Sequence, residues 1–319
     1  MKLRKKRDFN KVKKSPQILK NPVTNIEGLL QGTWAPSKRN LANIILGYFS
    51  LQRFLVAIMG PLMFLSGMFL ALKAIPSATQ IVVGFIAVYL LTAAEHTIDD
   101  FIDIERDKIK WSDRALPTGL ILRSHAGVYA ILMASIGIVL SFIFFNWQLV
   151  LIELVALSLG TAYPFLRDRI GYLTLPPVPA LIGIAGWVSV SPETLFTSPV
   201  PWILYLIFVG WQSFHILAMP WAIKYEKLLF VKLSPRNTAV LSVLFSIVTF
   251  VFVLLLFLEV EFHIIFLLVV LLFSALFWVV AYNMVKTPLN DKKVFRAFKI
   301  ATSYNIFLCI TIAVFSIWP

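Results

Sequence analysis

The sequence predicts an all-α fold that lives in a lipid bilayer, a polytopic bundle of about nine transmembrane helices. Three observations predict it. Hydrophobic residues make up 59% of the chain against 14% charged, with a mean hydropathy of +0.83, more apolar surface than a water-soluble domain can hide. These residues gather in runs of about twenty, the length that carries a helix across the hydrocarbon core. Lys and Arg fall in every second connection between runs, the asymmetry of a chain threaded back and forth across a membrane.

The runs are centred near Gly60, Ala87, Ile136, Leu154, Ile182, Gly210, Phe250, Val269 and Thr311. The fifth, from Thr174 to Val190, is short and proline-rich. The basic connections are the N-terminal arm (Lys2 to Arg39), then Arg106 to Arg123, Arg167 with Arg169, Lys224 to Arg236, and Lys286 to Lys299. The opposite connections carry Lys73 and acids such as Glu193, Glu259 and Glu261. This bias predicts a cytoplasmic N-terminus, with Pro319 on the far side, in the cell membrane.

Two regions follow. Residues 1–40 read as a basic cytoplasmic arm, solvated and drawn to anionic lipid rather than a cleavable signal peptide. Residues 41–319 read as one transmembrane domain. The formal charge of +13 would also suit nucleic acid, but it is spread over alternate helix ends, so the partner it predicts is the lipid surface and not a nucleic acid. Cys309 is the sole cysteine, which excludes a disulfide, an iron–sulfur cluster or a cysteine-built zinc site within one chain.

The segment richest in chemistry follows the second run: Glu95-His-Thr-Ile-Asp99-Asp100-Phe-Ile-Asp103-Ile-Glu105-Arg106-Asp107-Lys108. As one continuous helix it would place Asp99, Asp100, Asp103 and Asp107 on a single face, with Glu95 and His96 a turn deeper. Four like charges on one face at a membrane helix end repel unless a cation compensates. Mg²⁺ takes carboxylate oxygens and usually completes its octahedron with phosphate and water, so the stripe predicts metal-bound diphosphate. Lys108, Lys110 and Arg114 follow at once and supply anion-binding charge.

These residues resemble the UbiA superfamily of intramembrane prenyltransferases. The family signature Asn-Asp-x-x-Asp-x-x-x-Asp, then Arg-Pro-Leu-Pro-Ser-Gly, is similar to Asp99-Asp100-x-x-Asp103-x-x-x-Asp107, then Arg114-Ala-Leu-Pro117-Thr-Gly119. Tyr163-Pro164-Phe-Leu-Arg167 resembles the family's Tyr-x-x-x-Lys element, with the charge kept. Arg53 resembles its first-helix arginine. The second family motif, Asp-x-x-x-Asp, is reduced here to Ala222-Ile-Lys224-Tyr-Glu226.

The resemblance implies Mg²⁺ held by Asp99, Asp100, Asp103, Asp107 and Glu226. It implies a diphosphate met by Arg53, Lys108, Lys110, Arg114, Arg167 and Lys224, with Tyr163 facing the reacting carbons. The implied substrates are a prenyl diphosphate and a hydrophobic acceptor (a quinone head group, porphyrin or glycerol lipid), joined on the cytoplasmic side. Trp211-Gln-Ser-Phe-His215 is similar to protoheme farnesyltransferases and nominates His215 for the acceptor pocket, whereas the Asp107-to-Arg114 spacing is nearer the archaeal ether-lipid and chlorophyll-type branches. Two rivals stand beside this reading. A catalytically impaired binding protein would account for the reduced second motif, and an ion-coupled transporter would account for Glu95 and Glu153 but predicts charges near the midplane.

Overall fold

The computed structural model describes residues 22–36 and 38–318, without the side chains of residues 22–25 and Trp221. The first half of the expected arm lies outside the described residues. All regular structure among them is helical: α1 (Pro22–Leu30), α2 (Leu41–Leu51), α3 (Phe54–Ala57), α4 (Met59–Leu72), α5 (Ala78–Ile102), α6 (Ile104–Lys110), α7 (Arg123–Phe144), α8 (Trp147–Arg169), α9 (Pro177–Val188), α10 (Val200–Leu217), α11 (Pro220–Tyr225), α12 (Pro235–Val260), α13 (Ile264–Lys286) and α14 (Asp291–Ile317).

Among the described residues eight segments are long and apolar enough to cross a membrane: Leu41–Leu72, which combines α2 to α4, together with α5, α7, α8, α10, α12, α13 and α14. The ninth expected span is the exception. At 12 residues, α9 rises only about 18 Å, short of the ~30 Å core. It is buried rather than lipid-facing because it is built for backbone contact. A Cβ on Gly67 of α4 would fall 2.1 Å from the Gly183 carbonyl oxygen, and one on Gly186 would fall 1.8 Å from that of Phe64. Small residues at such a seam gain dispersion contacts that lipid cannot supply.

The helices sort into two packed groups. Around α4, α9, α10, α12, α13 and α14 lies the large core, with Phe208, Phe214, Phe266 and Leu204 fully buried. A second group pairs α5 with α7 and α8, where Ala93, Ala94, Leu91 and Met133 close the seam. Lipid-facing positions are apolar as well: Leu132, Ile136, Val139 and Ile143 of α7 are all more than half exposed. In hydrocarbon such a surface is at home.

Part of the expected arm is structured. α1 and the turn after it sit on the domain, where Leu29 and Ala35 are buried, the Trp34 carbonyl accepts from Ser50 Oγ at 2.9 Å, and Ala35 N–H donates to the Asp113 carbonyl at 2.8 Å.

A charged cluster at one end of the bundle

Two helix breaks build the site. The first span is interrupted between Leu51 and Phe54, where Arg53 takes a left-handed conformation with φ 49°. That region is costly for a residue with a Cβ and persists only where surroundings hold it. Here Gly32 lies against the Arg53 side chain, so closely that a Cβ on it would sit 2.4 Å from Arg53 Cγ. The break turns the guanidinium toward α5, and it binds Asp100 and, at 3.2 Å, Asp99.

The second break falls at Asp103. The acidic helix does not continue without interruption: α5 ends at Ile102, Asp103 has ψ 8°, and α6 starts afresh at Ile104. Across the break Asp107 N–H still donates to the Asp103 carbonyl at 2.8 Å, and one guanidinium, that of Arg114, reaches both Asp100 and Asp107. α6 is well polarised for its length, with Glu105 and Asp107 in its first turn and Lys108 and Lys110 in its last.

After α6 the chain doubles back. Gly119, at φ +75°, allows the reversal, Thr118 Oγ1 donates to the Arg114 carbonyl at 2.9 Å, and Ala115, Leu116, Leu120 and Ile121 lock the loop into a small apolar cluster with Leu51 and Ala126. Arg114 is thereby fixed between Asp100 Oδ1 at 2.9 Å and Asp107 Oδ2 at 2.6 Å. From α8, Arg167 forks onto Asp103 with bonds of 2.6 and 2.8 Å, its guanidinium carbon 5.4 Å from the Tyr163 ring centroid.

A fourth arginine meets a carboxylate from 120 residues away in sequence. The loop after α11 is clipped to the turn after α8 by Tyr172 N–H to the Lys227 carbonyl (2.9 Å) and Leu173 N–H to the Leu228 carbonyl (3.2 Å). The clip needs Gly171, whose φ is 140° and whose missing Cβ would lie 2.1 Å from the Leu228 oxygen. It carries Glu226 to Arg106, which also reaches Asp168 at 3.3 Å. Lys110 Nζ donates to Tyr172 Oη at 3.1 Å, and burial pushes its ammonium down to about 7.

Asp100, Asp107, Arg114 and Arg167 are each less than a tenth exposed. Charges this deep are tolerable only in mutual contact, since an isolated buried ion costs several kcal/mol. Each expected acidic ligand is therefore held by an arginine, and among the described residues no three acidic, histidine or cysteine side chains converge as a ready cation cage. One oxygen stands apart: Asp99 Oδ1 is buried with no hydrogen-bond partner, as are the donors Arg53 Nε and Arg114 Nε. Hard oxygen acceptors with one orphan suit Mg²⁺, and orphan guanidinium donors suit phosphate oxygens.

Three expected site residues are elsewhere. Lys108 points out and pairs with exposed Glu105 at 2.6 Å; on a helix whose partner face holds Asp107, it is turned about 100° away. Lys224 reaches Asp291 at the start of α14, at 2.5 Å. His215 lies in an aromatic sandwich, its ring centroid 5.1 Å from that of Trp211 and 4.1 Å from that of Phe298, and none of its contacts is with the charged cluster. Conversely, Arg106 and Tyr172 belong to the cluster although the motif reading passed over them. The signal for Arg106 was its spacing of three from Asp103. One turn deeper, Glu95 and His96 are part-exposed, and Gly160 leaves room for Glu95, since a Cβ there would stand 2.5 Å from its Oε1.

The charged residues come from the C-terminal ends of α5, α8 and α11, from α6 and the loop after it, and from the break in the first span, all at one end of the bundle. With this arrangement in place, three comparisons agree. A stretch of a digeranylgeranylglyceryl phosphate synthase from Pyrococcus horikoshii is 31% identical over 128 residues, 39% of this chain and 46% of that one. A 4-hydroxybenzoate octaprenyltransferase from Serratia proteamaculans is 28% identical over 151 residues, 45% of this chain and 50% of its own. The aligned stretches thus span about half the length of these curated relatives. The apo structure of a UbiA homologue from Aeropyrum pernix superposes with a TM-score of 0.65 at 15% identity, over 81% of this chain and 96% of that one, which fixes the fold. The family model described as the UbiA prenyltransferase family matches residues 60–303, and the chain belongs to that family.

Proposed function

We propose that the protein transfers a prenyl group from a prenyl diphosphate to a hydrophobic acceptor, at the basic end of the bundle and on the cytoplasmic face of the cell membrane. The observation that carries this reading is the interleaving of Asp99, Asp100, Asp103, Asp107 and Glu226 with Arg53, Arg106, Arg114 and Arg167 in a largely buried cluster. Such a cluster is neutral enough to sit at a membrane boundary, yet it separates into acceptors for a cation and donors for an anion.

In transfer, the C1–O bond breaks and its electron pair leaves with the diphosphate, giving an allylic cation. An acceptor oxygen or ring carbon attacks C1 and a proton is lost. Mg²⁺, held by Asp99 with Asp100, Asp103 or Asp107, would supply charge neutralisation of the leaving group. The chain's own part is electrostatic: Arg53, Arg114 and Arg167 donate to the phosphate oxygens as charge grows there. Tyr163, beside Arg167, presents its ring to the carbon end, where an aromatic face holds a cation by roughly 0.5–2 kcal/mol. Glu95, which makes no hydrogen bond among the described residues and lies one turn deeper than Asp99, is the carboxyl that takes the acceptor's proton in this reading. Glu226 is the one acid supporting the second motif, and it acts with Arg106.

The relatives named above act on a glycerol-phosphate lipid and on a phenolic acid, so both acceptor types belong in the test. The assay is Mg²⁺-dependent pyrophosphate release by the protein in lipid, with geranyl, farnesyl and geranylgeranyl diphosphates, a glycerol-phosphate lipid and 4-hydroxybenzoate, beside Asp103→Ala. Release that requires metal, acceptor and Asp103 supports transfer. Diphosphate binding without turnover would favour the impaired relative, for which the reduced second motif speaks, and no binding would end the proposal.

A further inference from the structure

On the membrane-facing side, α12 and α13 do not close against each other at their basic ends. They leave an apolar groove of about 560 Å³, lined by Val240, Val243, Leu244 and Ile247 of α12 and by Trp278 and Tyr282 of α13. The charged cluster has no part in it. Leu244, Ile247 and Tyr282 are 51, 44 and 58% exposed, so the groove is open along its length.

The groove has a direction. α12 and α13 are antiparallel neighbours joined by a turn at 261–263, which puts the start of α12 beside the end of α13. Arg236 lies one turn before Val240 and continues the same stripe through Val243, Leu244 and Ile247. Lys286 lies one turn after Tyr282, its Nζ 4.6 Å from that ring's centroid. Both cations are exposed. Neither has a carboxylate partner among the described residues, whereas Arg53, Arg106, Arg114, Arg167 and Lys224 all do. Tyr282 and Trp278 occupy the levels below the cations, as amphipathic rings do at a headgroup boundary.

We propose that this groove binds one anionic phospholipid, an acyl chain lying along Val240 to Ile247 and the phosphate between Arg236 and Lys286. The trough spans about 10 Å of helix, the roughly seven rises of ~1.5 Å from Val240 to Ile247. It takes the upper part of a chain while the lower part stays in the bilayer. Two unpaired cations at its mouth select negative headgroups over zwitterionic ones by roughly tenfold or more.

The test is native mass spectrometry of the full-length protein in detergent, titrated with phosphatidylglycerol or phosphatidylcholine of matched chains. The wild type is expected to retain one phosphatidylglycerol at concentrations about tenfold below those needed for phosphatidylcholine. The Arg236→Gln/Lys286→Gln double variant is expected to lose that preference, with its circular dichroism and any pyrophosphate release unchanged. Leu244→Trp, which fills the groove and leaves the cations, is expected to weaken retention of both lipids. Equal retention of the two lipids by the wild type, or an undiminished preference in the double variant, overturns the proposal. So does one-for-one displacement of phosphatidylglycerol by farnesyl diphosphate, which would make the groove a substrate site. Because lipid retention is read without turnover, it is independent of the prenyl-transfer assay.

Discussion

Replacing Arg167 by Gln should move metal binding and turnover in opposite directions. In the resting cluster Arg167 makes two charge-assisted bonds to Asp103, at 2.6 and 2.8 Å, with the two side chains 5 and 14% exposed. Hydrogen bonds to charged groups contribute about 1.5–3 kcal/mol each, so a cation recruiting Asp103 competes with roughly 3–6 kcal/mol. Part of that is returned as desolvation when Asp103 is left without a partner. The net relief should be about 1.5–3 kcal/mol, and Mn²⁺ standing in for Mg²⁺ should bind the substrate-free variant roughly 10- to 100-fold more tightly. Turnover loses a donor to the developing negative charge and should fall about 10²- to 10³-fold. Binding is read by electron paramagnetic resonance of free Mn²⁺, and turnover by pyrophosphate release. Should Mn²⁺ affinity fall together with turnover, Arg167 and the metal do not compete for Asp103, and the view of the cluster as a self-neutralised resting state is wrong.

Gly186→Ala should prevent folding, because the new Cβ would lie 1.8 Å from a backbone oxygen on α4; yield of monodisperse protein on a sizing column checks this, and normal recovery would contradict the packing of α9. Gly160→Ala intrudes on the flexible end of Glu95 instead, so protein should be recovered normally while kcat drops, roughly tenfold or more; unchanged kcat would remove Glu95 from the reaction. Gly171→Ala should release the clip that delivers Glu226 and lower the apparent Mg²⁺ affinity in turnover, measured by metal titration. Lys108→Ala should leave turnover within about twofold, since exposed pairs such as its contact with Glu105 contribute at most ~1 kcal/mol; a large loss would restore Lys108 to the diphosphate site.

Much of this architecture was legible in the residues. Apolar run length and the alternation of basic ends gave the spans, because lipid imposes one constraint on every crossing helix. The sequence nominated Arg53, Arg114 and Arg167 for a diphosphate and the aspartates for a metal; that the two sets pair with each other is seen only in the folded chain. Where the reading stopped, the missing quantity was backbone geometry or long-range contact. A left-handed Arg53 leaves no trace in composition, and neither does a helix that ends at Asp103 and restarts a residue later. The position of α9 turned on glycines that touch another backbone, which hydropathy does not register. Glu226 was read as a weakened motif, but its reach depends on a clip between residues 170–173 and 227–230 that no local signal announces. His215 was nominated from its neighbours in sequence, and the same Trp211 that suggested an acceptor pocket is the ring that stacks on it.

The arginine–carboxylate pairs join residues that are made far apart in the order of synthesis. When α5 leaves the ribosome it carries Glu95, Asp99 and Asp100 within or beside its apolar stretch, and of their eventual partners only Arg53 has been made. The partner of Asp103 is 64 residues further on and that of Arg106 is 120. Arg114, 14 residues after Asp100, completes that acid's pairing, but until α8 has been synthesised Asp103, at the end of this helix, needs water or the insertion machinery as a stand-in. Truncated chains ending before Arg167 should therefore linger at the insertion site, and a defect that frees α5 early would be met by membrane quality control rather than by loss of activity.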